Sequence, residues 1–234
     1  ILFFALIISI SSFLGFKVKD IQTNQRKRTI KDFIHETKSI LITNQNFRRY
    51  VYSRILLTAQ FPAISLYAVY SRDMFYFDIS DAGLLTATRL IAFGFGSIIA
   101  GQIGDRIGHK AAMTFCFACH VFTMGVALTA QSMIWIYGIF VCLGLAQGAF
   151  MPAAMSLVFD FAGKKGDNKM IMALIDTILS PFILVAIILG GILSEITSLV
   201  VLFQILGVFM IAGLLTIVFL VRDPHHQFKI PTNQ

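Results

Sequence analysis

An all-α integral membrane fold is what this sequence predicts, and three observations carry it. Of 234 residues, 57% are hydrophobic and only 13% charged, with a mean hydropathy of +0.79, too apolar for a water-soluble domain. The apolar residues fall into long runs, most of them near the ~20 residues that span a bilayer as a helix. The basic residues gather in the short polar joints between alternate runs, so the net charge of +7 reads as membrane topology rather than nucleic-acid binding. Three cysteines do not make a disulfide framework.

Residues 1–16 are almost wholly apolar but reach only ~24 Å as a helix, short of a full span. They begin with Ile1 and carry neither a basic leader nor a small-residue cleavage site. They read as the truncated end of a transmembrane helix, with a complete short anchor as the alternative. Residues 17–49 form a basic linker. Within it Thr29-x-x-Asp32 resembles a capping box, and Ile30, Phe33, Ile34, Thr37 and Leu41 recur at helical spacing. The pattern fits an amphipathic helix on the membrane surface and equally a flexible charged linker. Residues 50–221 then divide into six spans, Tyr50–Tyr70, Leu84–Ala100, Ala111–Ala130, Met133–Val158, Met170–Leu193 and Leu199–Val221. Pro62, Pro152 and Pro181 lie inside three of them, which neighbouring helices can accommodate in a membrane. Residues 222–234 form a tail, and no joint is large enough to be a soluble catalytic domain.

Orientation follows from charge. With the linker in the cytoplasm and the sides alternating from there, 17 of the 19 Lys and Arg fall in cytoplasmic stretches or at the adjoining start of the first full span. The opposite side is poor in base, and its longest joint carries Asp73, Asp78 and Asp81. This is the asymmetry of the positive-inside rule. It implies a multi-pass protein of the plasma or inner membrane, with linker and tail cytoplasmic.

One joint is distinctive. Gly101-Gln-Ile-Gly-Asp-Arg-Ile-Gly-His-Lys110 combines Gly101, Gly104 and Gly108 with Asp105, Arg106, His109 and Lys110, and reads as a tight turn at a water interface. It resembles the loop signature of the major facilitator superfamily (MFS), G-x-x-x-D-R/K-x-G-R/H-R/K, at all ten positions, with His109 where arginine is more usual. The resemblance implies a secondary transporter working by alternating access. The signature follows the second helix of a six-helix half, and a long linker separates the halves. The chain is therefore identified as the C-terminal half of a twelve-helix fold, helices seven to twelve, preceded by the end of helix six. A missing N-terminal half is implied as partner, with a monomer as the complete form. The resemblance also implies a latch, in which Asp105 docks against helix eleven and Arg106 pairs with Asp160 at the end of helix ten. A loop that only sets topology is the plainer reading.

Polar residues inside spans are costly and face a bundle interior or cavity. On helix seven Gln60 and Tyr67 lie seven apart, and Gln147 lies on helix ten, the two helices that in the family line the central path. Arg89 and Asp176 sit ~9–10 Å deep from opposite surfaces, too far apart to pair easily. Arg54, ~9 Å deep from the inner surface, matches the depth of Asp176 and offers it a partner. These six are the candidates for a substrate or proton path, against bland roles as interhelical hydrogen bonders or a permanent structural pair.

Cys116-Phe-Ala-Cys119-His120 matches the haem-attachment pattern, but it lies mid-span, where cysteine behaves as a small hydrophobe and His120 as a packing residue. No cofactor or metal is expected. No catalytic triad, Walker loop or HExxH motif is present, so the chain is not expected to be an enzyme. A seven-helix receptor or sensor and an integral-membrane enzyme or cytochrome are the alternatives; the signature loop and basic linker argue against the first, and a haem absorbance scan would expose the second. Ser180-Pro181 and Gly190-Gly191 in helix eleven resemble part of a pattern found in drug-exporting members. The sequence thus leans towards proton-coupled export of a small organic compound, with metabolite uptake as the alternative.

Overall fold

The computed structural model describes residues 41–75, 79–162 and 168–224. The expected helix end at 1–16, the surface helix of the linker and the last part of the tail lie outside them. Within the described residues the chain is helical, with α1 (Gln45–Leu57), α2 (Gln60–Phe75), α3 (Ile79–Arg106), α4 (His109–Thr129), α5 (Met133–Ala162), α6 (Asn168–Ile196) and α7 (Leu199–Leu215), the last running into a π turn at Thr216–Leu220. Polar side chains start two of these helices. Asn44 Oδ1 accepts from Phe47 N at 3.0 Å and Ser198 Oγ accepts from Val201 N at 3.3 Å, each meeting one of the free donors of a first turn.

Among the described residues five helices are long and apolar enough to cross a membrane, Ser80–Arg106, His109–Thr129, Met133–Phe161, Ile171–Ile196 and Leu199–Leu220. Their outward faces carry large apolar side chains such as Leu90, Phe95, Val185, Ile188 and Phe209, a surface suited to lipid and not to water. The first expected span, Tyr50–Tyr70, is not one continuous helix. It is broken at Thr58–Ala59 into α1 and α2, of 13 and 16 residues. The cause is Pro62, which has no N–H to give the carbonyl four residues back and whose ring crowds that carbonyl. That carbonyl belongs to Thr58, and it accepts instead from Phe61 N at 3.1 Å, a tighter turn. Thr58 N and Ala59 N likewise turn to Ile55 and Leu56, and the Thr58 hydroxyl donates to Ile55 O at 2.6 Å, so the break leaves these donors satisfied. Both pieces pack against α7.

Three of the other spans, those in α3, α5 and α6, overrun their expected ends. In particular, α3 continues through Gly101, Gly104, Asp105 and Arg106. The expected ten-residue turn shrinks to Ile107–Gly108, where Gly108 leaves helical geometry at φ 128° and ψ 154°. Gly108 N closes α3 on Ile103 O at 3.1 Å while its own carbonyl accepts from Ala111 N at 3.0 Å, so one helix ends where the next begins.

Helix α5 is the centre of the bundle, packed against α3, α4 and α6. Its closest neighbour is α3. A Cβ added at Gly96 would overlap the Leu145 carbonyl, one at Gly144 the Arg89 carbonyl, and one at Gly148 the Phe93 carbonyl. Gly144-x-x-x-Gly148 on α5 and Gly96 on α3 thus let two backbones touch, and Ser97 Oγ donates across the gap to Gly148 O at 2.9 Å. In lipid, where burial gives helices little reason to associate, such close packing and hydrogen bonding hold them. At the far end from the signature, Tyr67, Tyr70, Met124, Ile136, Ile139 and Phe203 form a buried cluster joining α2, α4, α5 and α7. Gly190 of α6 packs on the Pro62 ring, where a Cβ would collide, so α6 bears on the helix break itself.

Candidate functional site

The signature end is held by side chains that no local spacing relates. His109 opens α4, which packs along α5, and its Nδ1 lies 2.6 Å from Asp160 Oδ2, both groups partly buried. Gly104 makes this possible, since a Cβ there would stand 2.9 Å from His109 Cδ2. The expected Arg106–Asp160 pair is not formed among the described residues. Arg106 is exposed at the last turn of α3 and makes no ion pair among the described residues, and His109 takes its place on Asp160. Asp105 is exposed as well, and α3 shares no extended interface with α6, so its expected docking on helix eleven is not formed among the described residues. The physical reason is helical phase. Because α3 stays helical through Arg106, both side chains follow its outer face, and the first residues of α4 are the ones turned towards α5.

The same end closes α7. Lys110 Nζ donates to Val218 O at 2.9 Å and Arg49 Nη1 to Leu220 O at 3.1 Å, placing two cations on the free carbonyls at a helix C-terminus. Asn46 grips the backbone of Arg222 from both sides, donating to its carbonyl and accepting from its N–H, each at 2.7 Å. The Asp223 carboxylate lies against Gly108, where a Cβ would stand 2.5 Å from Oδ2. Gly101 faces open space. The three signature glycines therefore differ in use: Gly104 clears room for His109, Gly108 supplies a backbone conformation, and Gly101 meets nothing among the described residues.

Two adjoining cavities lie beside the helix break. One, of about 250 Å³, is lined by Arg54, Gln60, Phe61, Phe150, Asp176 and Ser180 among others. The second, of about 300 Å³, is lined by Gln60, Phe61, Arg89, Phe93, Gln147 and Phe150 among others. Gln60, Phe61 and Phe150 belong to both, so Gln60 at the first turn of α2 stands between Arg54 on one side and Arg89 on the other. Breaking the helix exposes irregular backbone to a cavity rather than to lipid, where it is tolerated. Five of the six residues proposed for the path line these cavities. Tyr67 does not. It is buried, its ring 5.1 Å from Phe203 and its hydroxyl 3.6 Å from Met124 Sδ, and is part of the core.

Arg54 and Asp176 line the same cavity without forming an ion pair. Arg54 Nη1 donates to the Tyr50 hydroxyl at 2.9 Å, and its guanidinium lies 4.7 Å over the Phe150 ring. Tyr50 is itself fixed by stacking on Phe161 at 5.3 Å, and Phe161 meets Phe47 edge-on at 5.5 Å. Sequence reasoning missed Tyr50, Phe150, the helix break and the close α3–α5 contact. Pro62 with Thr58 four residues before it signalled the break, and Gly144-x-x-x-Gly148 signalled the contact; an aromatic partner on another helix leaves no local signal. The rejected haem pattern lies between helices. Cys116 Sγ donates to Ala146 O at 3.3 Å, His120 is buried, and among the described residues no group of three His, Cys, Asp or Glu is placed to hold a metal.

Comparison with known proteins accords with this architecture. One similar protein is Sugar phosphate exchanger 3 of Xenopus laevis, 33% identical over 90 residues, a stretch that covers 36% of this chain and 18% of that protein. The family model of the Major Facilitator Superfamily matches residues 50–234, the whole stretch from the first broken span onward. With spanning helices, the ten-residue signature and a match over most of its length, this chain belongs to the Major Facilitator Superfamily.

Proposed function

We propose that the chain is the C-terminal half of a secondary transporter that moves a small organic anion by alternating access, with the two cavities beside the helix break as its share of the substrate path. The observation that carries this reading is the pair of arginines, Arg54 and Arg89, set one in each cavity on either side of Gln60. A guanidinium facing a cavity in a membrane, with no carboxylate partner among the described residues, is costly unless an anion visits it. A similar protein bears the name sugar phosphate exchanger, which makes a phosphate ester the anion to try first. A second six-helix half closes the path, and the signature end lies on the cytoplasmic side, in keeping with the charge asymmetry of the joints.

Asp176 supports proton coupling as a second reading, since it shares a cavity with Arg54 and is not paired with it. The lean towards export gains no support from helix eleven. There α6 passes unbroken through Pro181, and Gly190 serves to seat Pro62.

The test is exchange of radiolabelled inorganic phosphate against glucose 6-phosphate in vesicles holding the chain with its N-terminal half. Hydrogen bonds to a charged group contribute about 1.5–3 kcal/mol, so Arg54→Gln should lower kcat/KM by about ten- to a hundred-fold. Exchange at the unsubstituted rate in Arg54→Gln would refute the anion reading.

A further inference from the structure

We propose that Tyr50 and Phe150 are positioning residues whose task is to hold the Arg54 guanidinium off Asp176, so that the cation stays available to an anionic substrate. The proposal rests on the anion reading given above. Its starting point is an anomaly of charge. An arginine and an aspartate line one cavity of about 250 Å³, in a membrane where opposite charges attract strongly, and yet they do not pair. Arg54 is 8% exposed, so its guanidinium is not held by bulk water, while Asp176 is exposed in this chain. Two contacts keep it away. The Tyr50 hydroxyl, 2.9 Å from Nη1, occupies one corner of the fork, and the Phe150 ring, 4.7 Å from the guanidinium carbon, occupies one face.

Both holders are themselves fixed. Tyr50 is fully buried and stacked on Phe161. Phe150 lies on α5, two residues beyond the Gly148 that locks this helix to α3, and it lines both cavities. The clamp takes one nitrogen and one face of the guanidinium and leaves the rest of the fork to the cavity, which suits bidentate recognition of a phosphate or carboxylate. If either holder is removed, the Asp176 carboxylate on the same cavity becomes the competing partner. A closed Arg54–Asp176 pair would then compete with the substrate. The clamp thereby decides whether Arg54 acts as a receptor or as half of a salt bridge.

The consequence is a suppression pattern that a merely structural role would not produce. In the phosphate exchange assay, Phe150→Leu should raise KM about two- to thirty-fold, the range of a cation–π contact, with kcat changed less. Phe150→Tyr keeps the ring and should keep KM. The double variant Phe150→Leu/Asp176→Asn should bring KM back towards that of Asp176→Asn alone, since the competing carboxylate is gone. Tyr50→Phe, which deletes only the hydroxyl, serves as the second probe should Phe150→Leu not fold, and its loss should likewise be relieved by Asp176→Asn. An unaltered KM in folded Phe150→Leu and Tyr50→Phe, with Arg54→Gln defective, would overturn the clamp and leave the anion reading standing. Equal KM increases with and without the Asp176 carboxylate would overturn it too. Full exchange in Arg54→Gln would instead remove the anion reading on which the clamp depends.

Discussion

Leucine in place of Gly148 should leave no folded protein, and alanine there should already lower stability by about 1–3 kcal/mol, the usual cost of overpacking. The reason is that the obstacle is backbone. A Cβ at this position overlaps the carbonyl of Phe93, which lies inside α3 and cannot turn aside without parting the two helices. Because α5 also carries α4 and α6, the loss would spread beyond one interface. Thermal unfolding in detergent measures it. Gly94 is the control, since a Cβ there meets nothing within 4 Å, and Gly94→Ala should change stability by no more than about 0.5 kcal/mol. Equal midpoints for Gly148→Ala and Gly94→Ala would contradict the close-packed α3–α5 contact.

Gly108→Ala should cost about 1–3 kcal/mol, because φ 128° with ψ 154° is a region that only glycine enters without strain. The neighbouring Asp223 carboxylate adds crowding but sits on a side chain that can move, so strain carries most of the effect. Gly101→Ala, seven residues earlier in the same signature, should be neutral or stabilising by up to about 1 kcal/mol, since Gly101 is helical and open. Comparing the two melts separates a glycine needed for its backbone from one not needed by this chain alone. Matching losses in both would mean that the signature glycines act through a shared feature and not through the turn at Gly108.

These contrasts mark how far the sequence could be read. Class and family were legible because they depend on local composition and on one contiguous motif. Helix existence was clear from apolar length, whereas helix ends were not. Gly101 and Gly104 suggested a turn, but α3 runs through both, since a helix tolerates isolated glycines when neighbouring helices hold it. Pro62 was visible as a proline inside a span, and its consequence was underestimated because the outcome depends on what surrounds the freed carbonyl. Gly190, more than a hundred residues away, is what fills the space at the break.

The candidate site divides in the same way. Counting rise per residue set Arg54 and Asp176 at one depth, and both line one cavity. Depth says nothing about direction, however. Whether Arg54 reaches Asp176 depends on Phe150 and on Tyr50, whose ring is fixed by Phe161 on α5. The signature shows the same limit. The family resemblance implied Arg106 for Asp160, while in this structure His109 lies there, because the helix ends only after Arg106.

The central claim, that the cavity beside the helix break receives an anionic substrate, is tested most directly by ligand protection. Ser180 lines that cavity, and Ser132 sits exposed at the joint between α4 and α5. Single cysteines at these two positions, with Cys116, Cys119 and Cys142 replaced by alanine, would be labelled by a water-soluble thiol reagent in the protein reconstituted with its N-terminal half. Glucose 6-phosphate should slow labelling of Ser180→Cys in a saturable manner, leave Ser132→Cys unaffected, and lose its protective effect when Arg54→Gln is added. Labelling of Ser180→Cys that no phosphate ester slows, or protection that survives Arg54→Gln, would contradict the account.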